Sequence, residues 1–334
     1  MHAMHAFIEG HLPVSILVLV AAFIVLAKCA DLFVTSAAEL AISLKVPKLV
    51  VGIVLISLAT TAPELSVSLL SVLRGSPEMA LGNAIGSVIC DDGLALALCG
   101  IVSVSAISVI PVVLRTSGVF LLFVEIIAFL FVAWDFTLSR LEGLFLLVCF
   151  AGYILLLVRQ HRQGHFHADV KLEAANAAEN TLTKKRLTLM FVASLLGIIF
   201  ASDFIVSAAK GIALASGVPE GIIALTIVAF GTSIPEVATC VAAARKGEGA
   251  LAVGNVIGAD IMNICWVAGA SAVANDLVLR RQGVYFMFPA MFVIVGLMLI
   301  LLRINYNLTR WKGFVLLAAY IAYLASFFIV YRPH

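Results

Sequence analysis

The sequence specifies an all-α polytopic membrane protein: ten transmembrane helices arranged as two inverted five-helix repeats, with both termini on the outer side. Three observations carry this. The 334 residues are 63% hydrophobic and only 12% charged, whereas soluble domains carry roughly a quarter charged residues. Apolar runs of about 20 residues, long enough to cross ~30 Å of hydrocarbon, recur along the whole chain. Finally, the two halves repeat each other at a fixed offset.

The runs place helices at 13–42, 48–73, 77–102, 107–134, 139–158, 187–215, 219–244, 249–275, 284–302 and 310–331. The first begins near Leu12 with neither a basic leader nor a small-residue cleavage site, which marks a true span rather than a signal peptide. The one long polar interval, 159–186, holds Arg159, Arg162, Lys184, Lys185, Arg186 and the histidines His161, His165 and His167. It is too short for a domain. It reads as a solvated cytoplasmic linker between an N-terminal repeat, 1–158, and a C-terminal one, 187–334.

Lys and Arg collect on cytoplasmic loops. With the N-terminus outside, fourteen fall on inner loops, against six (Arg74, Arg140, Lys210, Arg280, Arg281 and Arg332) on the outer side. Cys29, Cys90, Cys99, Cys149, Cys240 and Cys265 lie in apolar segments without a CxxC pair and read as small packed hydrophobes.

The repeat offset is the one that carries Glu64 onto Glu236. It lays Asp31 on Asp203 and Val46-Pro47 on Val218-Pro219. Without a gap it also lays Thr60-Thr61-Ala62-Pro63-Glu64 on Thr232-Ser233-Ile234-Pro235-Glu236. Farther on, Gly82-Asn83-Ala84-Ile85-Gly86-Ser87-Val88-Ile89-Cys90-Asp91 falls on Gly254-Asn255-Val256-Ile257-Gly258-Ala259-Asp260-Ile261-Met262-Asn263, identical at five of ten positions. Five spans per half is an odd number, so the second half inserts upside down. Inverted repeats with helices interrupted at matching positions mark secondary transporters, whose ion sites lie near the midplane at the repeat interface.

The first duplicated motif supplies hard oxygens inside apolar helices. Pro63 and Pro235 each remove a backbone hydrogen bond and free carbonyls on the preceding turn. Thr60, Thr61, Thr232 and Ser233 add hydroxyls, and Glu64 and Glu236 add carboxylates. Glu64 stands about ten residues from the turn near Gly75, or about 15 Å deep at ~1.5 Å per residue. A lone carboxylate at that depth costs several kcal/mol, so two related by a repeat point to function.

In the second motif the glycines allow close helix approach. Asp91 follows Glu64 at the same interval as Asn263 follows Glu236, a spacing that a helical hairpin returns to similar depth. Glu64, Glu236, Asp91 and Asn263 are thus expected to form a diamond of oxygen ligands. Ca²⁺ takes six to eight such oxygens, and the absence of Cys and His from the set argues against zinc or copper. Three ionised carboxylates in a low-dielectric core are too costly to leave uncompensated, so the protein should change sides only when loaded. Competition of Ca²⁺, Na⁺ or protons for shared carboxylates, with switching only when loaded, is exchange.

These paired motifs resemble the two α-repeats of the sodium/calcium exchanger (Ca²⁺:cation antiporter) family, in its prokaryotic form. The motifs cover roughly 57–95 and 229–267, and the ten-span layout covers the chain. The resemblance implies that Glu64 and Glu236 bind Ca²⁺ directly and that Asp91 and Asn263 complete the centre. It implies flanking Na⁺ sites made by Thr60, Thr61, Thr232, Ser233, Ser87 and the carbonyls of Ser57 and Ala229. The first and sixth helices would slide across a rigid core.

The sequence departs from the family pattern in four places. Asp91 and Asn263 are exchanged between repeats relative to many members; Ala259 replaces a Na⁺-binding Ser; Val88 and Asp260 stand where Asn is frequent; and Asp92 adds an acid. Asp92 and Asp260 are further possible ion contacts. Asp31 and Asp203, matched across the repeat, are possible ion-path residues, and Lys28 is expected to pair with Asp31.

The expectation is a Ca²⁺/Na⁺ antiporter working by alternating access. It is not an enzyme and has no resident cofactor. Its partners are inorganic cations and the lipid bilayer, not nucleic acid, and it functions as a monomer in a prokaryotic inner (cell) membrane. A Ca²⁺/H⁺ antiporter of the same fold is the alternative, because clustered carboxylates titrate as a unit. An ion channel fits less well, since it needs a continuous pore, and an intramembrane protease lacks its HExxH or paired catalytic groups.

Overall fold

A computed structural model describes residues 2–43, 60–162, 183–245, 247 and 249–330. The chain opens with α1 (His2–Glu9), which the expected spans did not include, and continues into the long α2 (Leu12–Ser43). The next expected span, 48–73, is described only from Thr60, where α3 runs Ala62–Leu73. Ser57 therefore lies outside the described residues, as do His165 and His167 of the linker.

Then follow α4 (Pro77–Val102), α5 (Pro111–Asp135), α6 (Arg140–Arg162) and α7 (Lys184–Ser216). The second half has α8 (Glu220–Thr232), α9 (Ile234–Arg245), α10 (Gly249–Met262, continuing through 263–274), α11 (Arg281–Arg303) and α12 (Arg310–Val330). Prolines open α4 and α5, where a missing N–H costs nothing. Phe136 and Gly217 end α5 and α7 in the left-handed conformation.

Among the described residues, seven of these helices are long and apolar enough to cross a membrane, or eight if the bent pair α8–α9 is one span. That is fewer than the ten expected. The shortfall falls at α3, whose N-terminal extension lies outside the described residues, and at α12. Where both ends can be compared, the expected and observed bounds agree within a few residues.

Two short antiparallel ribbons tie the halves together. β1 (Ile107–Ser108) pairs with β4 (Asn307–Leu308), and β2 (Thr137–Leu138) pairs with β3 (Leu277–Val278). β1 and β2 sit at opposite ends of α5, so one ribbon closes each end. One shift takes Ile107 to Leu277 and Thr137 to Asn307, so it carries β1 onto β3 and β2 onto β4 and exchanges the two ribbons.

The apolar interior has two parts. A large core gathers α4, α5, α8–α12 and part of α6. A separate one is built from α1, α2 and α7, with Ala62, Val67 and Met79 from α3 and α4 and Ile223, Ala224 and Val228 from α8. The most extensive helix–helix contact in the molecule is that of α2 with α7. All six cysteines are free, four of them buried.

Candidate functional site

The helices break where the repeat places the prolines. Thr61, ahead of α3, has φ −84° and ψ 3°; its repeat equivalent Ser233 has φ −81° and ψ 2°. At Ser233 the axis turns by 43° between α8 and α9. Pro63 and Pro235 cause this, because neither can donate to the turn before it. Beyond each break the helix resumes, with Leu65 N–H donating to Thr61 O at 3.1 Å and Val237 N–H to Ser233 O at 3.0 Å.

The second motif carries a matched irregularity. α4 passes through a π turn at Asp91–Ala95, and α10 through one at Asn263–Ala268, beginning at equivalent positions. Such turns aim side chains off the regular helical stripe and gather at functional sites. The packing is crossed. The helix of Glu64 packs on the π turn of Asn263, and the helix of Glu236 packs on that of Asp91.

Close approach of the two halves needs glycine. A Cβ at Gly86 would stand 2.6 Å from the Cβ of Ala229, and one at Gly82 would stand 3.2 Å from that of Ala224. On α2, Phe23 lies directly over Gly231, beside the break.

The structure brings Glu64, Glu236 and Asp91 into mutual electrostatic range. The Glu64 carboxyl faces the Thr232 hydroxyl and that of Glu236 faces Thr60, an exchange that the repeat offset dictates; Asp91 faces Ser233. Asn263 is buried with neither amide atom hydrogen-bonded. Glu64, Glu236, Asp91 and Asn263 are each at most 2% exposed. No ion pair among the described residues reaches these carboxylates.

The surrounding hydroxyls are ordered. Thr232 donates to Asn83 Oδ1 at 3.3 Å and to Ala229 O at 3.1 Å, and lies 3.5 Å from Ser87 Oγ. Asn83 Nδ2 donates to Glu64 O at 3.2 Å and Ser68 Oγ at 3.1 Å, fixing the break from below. The Ala229 carbonyl also accepts the Ser233 amide at 2.9 Å. Thr61 donates to Met262 Sδ at 3.7 Å. Ala259 is buried where the other repeat has Ser87.

No three His, Cys, Asp or Glu side chains among the described residues form a metal-holding group by themselves. A cation here must share its shell with hydroxyl, amide and carbonyl oxygens, which suits a hard ion.

Asp31 and Lys28 are both exposed on α2, and no ion pair joins them among the described residues. Asp203 lies outside the centre. It pairs with Arg74 and stands 3.2 Å from His5 Nε2, beside a ~1050 Å³ cavity lined by His5, Glu9, Arg74, Asp203 and Lys210. Asp92 and Asp260 are buried next to the centre and face each other. Sequence reasoning passed over Glu125, fully buried on α5. Its signal was visible: it is the only acid in the apolar run 119–134.

The family model for the sodium/calcium exchanger protein matches residues 14–159 and 186–329. The chain belongs to that family. Among its relatives, this exchanger-family chain is 30% identical to sodium/calcium exchanger MaX1 of Methanosarcina acetivorans, over 96% of this chain and 100% of the relative. It is 33% identical to an uncharacterised membrane protein of Methanocaldococcus jannaschii, over 89% and 92%. It is 34% identical to the inner membrane protein YrbG of Escherichia coli, over 73% and 74%. A solved structure of the sodium-calcium exchanger NCX_Mj, soaked with Na⁺ and Sr²⁺, superposes with a TM-score of 0.63 at 28% identity, covering 95% of this chain and 99% of that one.

Proposed function

We propose that this protein is an antiporter that exchanges Ca²⁺ for Na⁺ by alternating access at the Glu64/Glu236 centre. The observation that carries the reading is the duplicated, fully buried carboxylate beside a proline break, with no counter-cation in reach among the described residues. Burying two such charges uncompensated costs many kcal/mol, so the cation itself is the missing partner. Ca²⁺ is cargo, held by Glu64, Glu236, Asp91 and Asn263. Thr60, Thr61, Thr232, Ser233 and Ser87, with the carbonyls of Ser57 and Ala229, serve Na⁺. The chain's similarity to the sodium/calcium exchangers MaX1 and NCX_Mj supports sodium and calcium as the pair.

The lysine and arginine distribution supports ten spans with both termini outside, in an inner membrane like that of YrbG. No chemistry on a substrate bond is required, so the protein is a transporter and not an enzyme.

Ala259 favours a second reading, Ca²⁺/H⁺ exchange, because the hydroxyl present at Ser87 is missing from the other repeat. Uptake of radiolabelled Ca²⁺ into proteoliposomes separates the two. A Na⁺ gradient alone should drive uptake at fixed pH. Uptake driven only by a pH gradient would replace Na⁺ with H⁺ as the coupling ion.

A further inference from the structure

The cavity between α1, α3 and α7 lies outside the Glu64/Glu236 centre, and its shape is that of a trough. Its volume is about 1050 Å³. Along α7 its lining runs from Leu196 to Lys210, about 21 Å at ~1.5 Å per residue. One leaflet of a bilayer, headgroup region included, is about 20–22 Å thick. Because α7 spans Lys184–Ser216, the trough starts near the middle of that helix and finishes close to its C-terminal end.

Polarity changes along that length. The mid-helix end is apolar. Leu196, Ile199 and Phe200 line it and are 62%, 42% and 55% exposed, so in a membrane the trough lies open to hydrocarbon there. The other end is charged, lined by Glu9, Arg74, Asp203 and Lys210. An apolar trough of leaflet length that finishes in charges has the polarity of a phospholipid lying in one leaflet.

The charges specify the headgroup. Arg74 and Asp203 pair with each other, and the ring nitrogens of His5 are engaged by Arg74 and Ser207. Glu9 and Lys210 are left over: neither forms an ion pair among the described residues. Their backbones nevertheless meet, since a Cβ added at Gly211 would stand 3.0 Å from Glu9 Cα. Lys210 donates once, to Arg74 O at 2.7 Å, and an ammonium has three donors to give. A neighbouring anion and cation without partners complement a headgroup that carries both signs. Its phosphate would take Lys210 and its ammonium Glu9, whereas a purely anionic headgroup would meet Glu9 as a like charge.

We propose that this cavity binds one zwitterionic phospholipid with a primary ammonium in its headgroup, the phosphate on Lys210, the ammonium on Glu9 and a chain along Leu196–Phe200. The lipid bridges α7 to the end of α3, the helix of Glu64. The site rests on the cavity and its charges, whichever ions the centre exchanges.

The test is thermal unfolding of delipidated protein in non-ionic detergent with added phosphatidylethanolamine, phosphatidylcholine or phosphatidylglycerol. A bound lipid raises the melting temperature by mass action. Phosphatidylethanolamine should do so saturably and at the lowest concentration. A choline headgroup has no N–H for Glu9, so its midpoint should lie about tenfold higher. Lys210→Gln should raise the phosphatidylethanolamine midpoint about tenfold, and Glu9→Gln should erase the preference over phosphatidylcholine. Lys185→Gln, at the far end of α7, should leave the midpoint unchanged.

Equal midpoints for the three lipids would overturn the site. So would an unchanged phosphatidylethanolamine midpoint in folded Lys210→Gln, or a retained preference in folded Glu9→Gln. Tighter binding of phosphatidylglycerol would assign an anionic lipid instead, and no response to any lipid would leave the cavity to solvent; either result refutes the proposal. None of these variants touches the Glu64/Glu236 centre, so Ca²⁺ binding there is judged separately.

Discussion

Arg74 and Asp203 form an ion pair that ties α3, the helix of Glu64, to α7. The pair is part of a network. Arg74 Nη1 donates to Ser207 Oγ at 2.6 Å and Nη2 to His5 Nε2 at 3.0 Å, and Lys210 Nζ donates to Arg74 O at 2.7 Å. α7 packs chiefly on α2, and this polar cluster joins α1 and α7 to the end of α3 beside the apolar contacts. Its side chains are 24% and 16% exposed, between the surface and buried regimes. Asp203→Asn should therefore cost about 1–2 kcal/mol, more than an exposed pair and less than a fully buried one. A double-mutant cycle with Arg74→Gln, read by thermal unfolding, should show coupling of similar size; additive effects would mean that the pair contributes nothing.

His5 makes that fastening sensitive to pH. Burial first, and then the Arg74 guanidinium, hold its imidazole below the ordinary 6.5, against the opposing pull of Asp203. Neutral His5 accepts from Arg74 and donates from Nδ1 to Ser207 Oγ at 2.7 Å. A histidine depressed in the folded state binds protons more readily when unfolded. Its contribution is full above pH 6.5 and is lost as pH falls through that value toward its folded pKa. Melting temperature should thus fall between about pH 7 and pH 5 more steeply in the unaltered protein than in His5→Gln. Equal slopes would contradict this.

Much of this was legible in the sequence, and the reasons are specific. The proline breaks beside Glu64 and Glu236 follow from residues that recur at one offset, so each half tests the reading of the other. The π turns that begin at Asp91 and Asn263 were not expected from the sequence. What lacked a copy was missed. Glu125 falls on Val295 under the shift that carries β1 onto β3, and without a copy it drew no attention. The eight residues of α1 are too few for a periodic signal, and its docking depends on His5 and Ile8 meeting α7, a tertiary contact. Pairing of Asp31 with Lys28 follows from helical spacing alone, yet both side chains point away from the packed interior.

The close crossing of the halves at Gly86 admits no side chain. Gly86→Ala would force its Cβ to 2.6 Å from that of Ala229, and overpacking of this kind costs about 1–3 kcal/mol. Gly152→Ala, with no described atom within 4 Å of the added carbon, is the control and should be neutral or slightly stabilising. Equal melting temperatures for the two variants would disprove the tight crossing.

Asp91 and Asn263 occupy equivalent places at the start of the two π turns. If total charge at the centre governs transport, exchanging them in Asp91→Asn/Asn263→Asp should retain substantial Na⁺-driven Ca²⁺ flux. Asp91→Asn alone should loosen Na⁺ coupling before it abolishes Ca²⁺ binding. A double variant no better than the single one would mean that the charge must come from the first repeat, beside Ser233.

Equilibrium binding of radiolabelled Ca²⁺ to the purified protein tests the central claim most directly. The unaltered protein should bind Ca²⁺ saturably and release it to Na⁺. Glu64→Gln and Glu236→Gln, each eluting as folded protein, should bind at least about 100-fold more weakly, as removal of a charged ligand worth ~2.7 kcal/mol requires. Undiminished Ca²⁺ affinity in either folded variant would contradict the assignment of this centre.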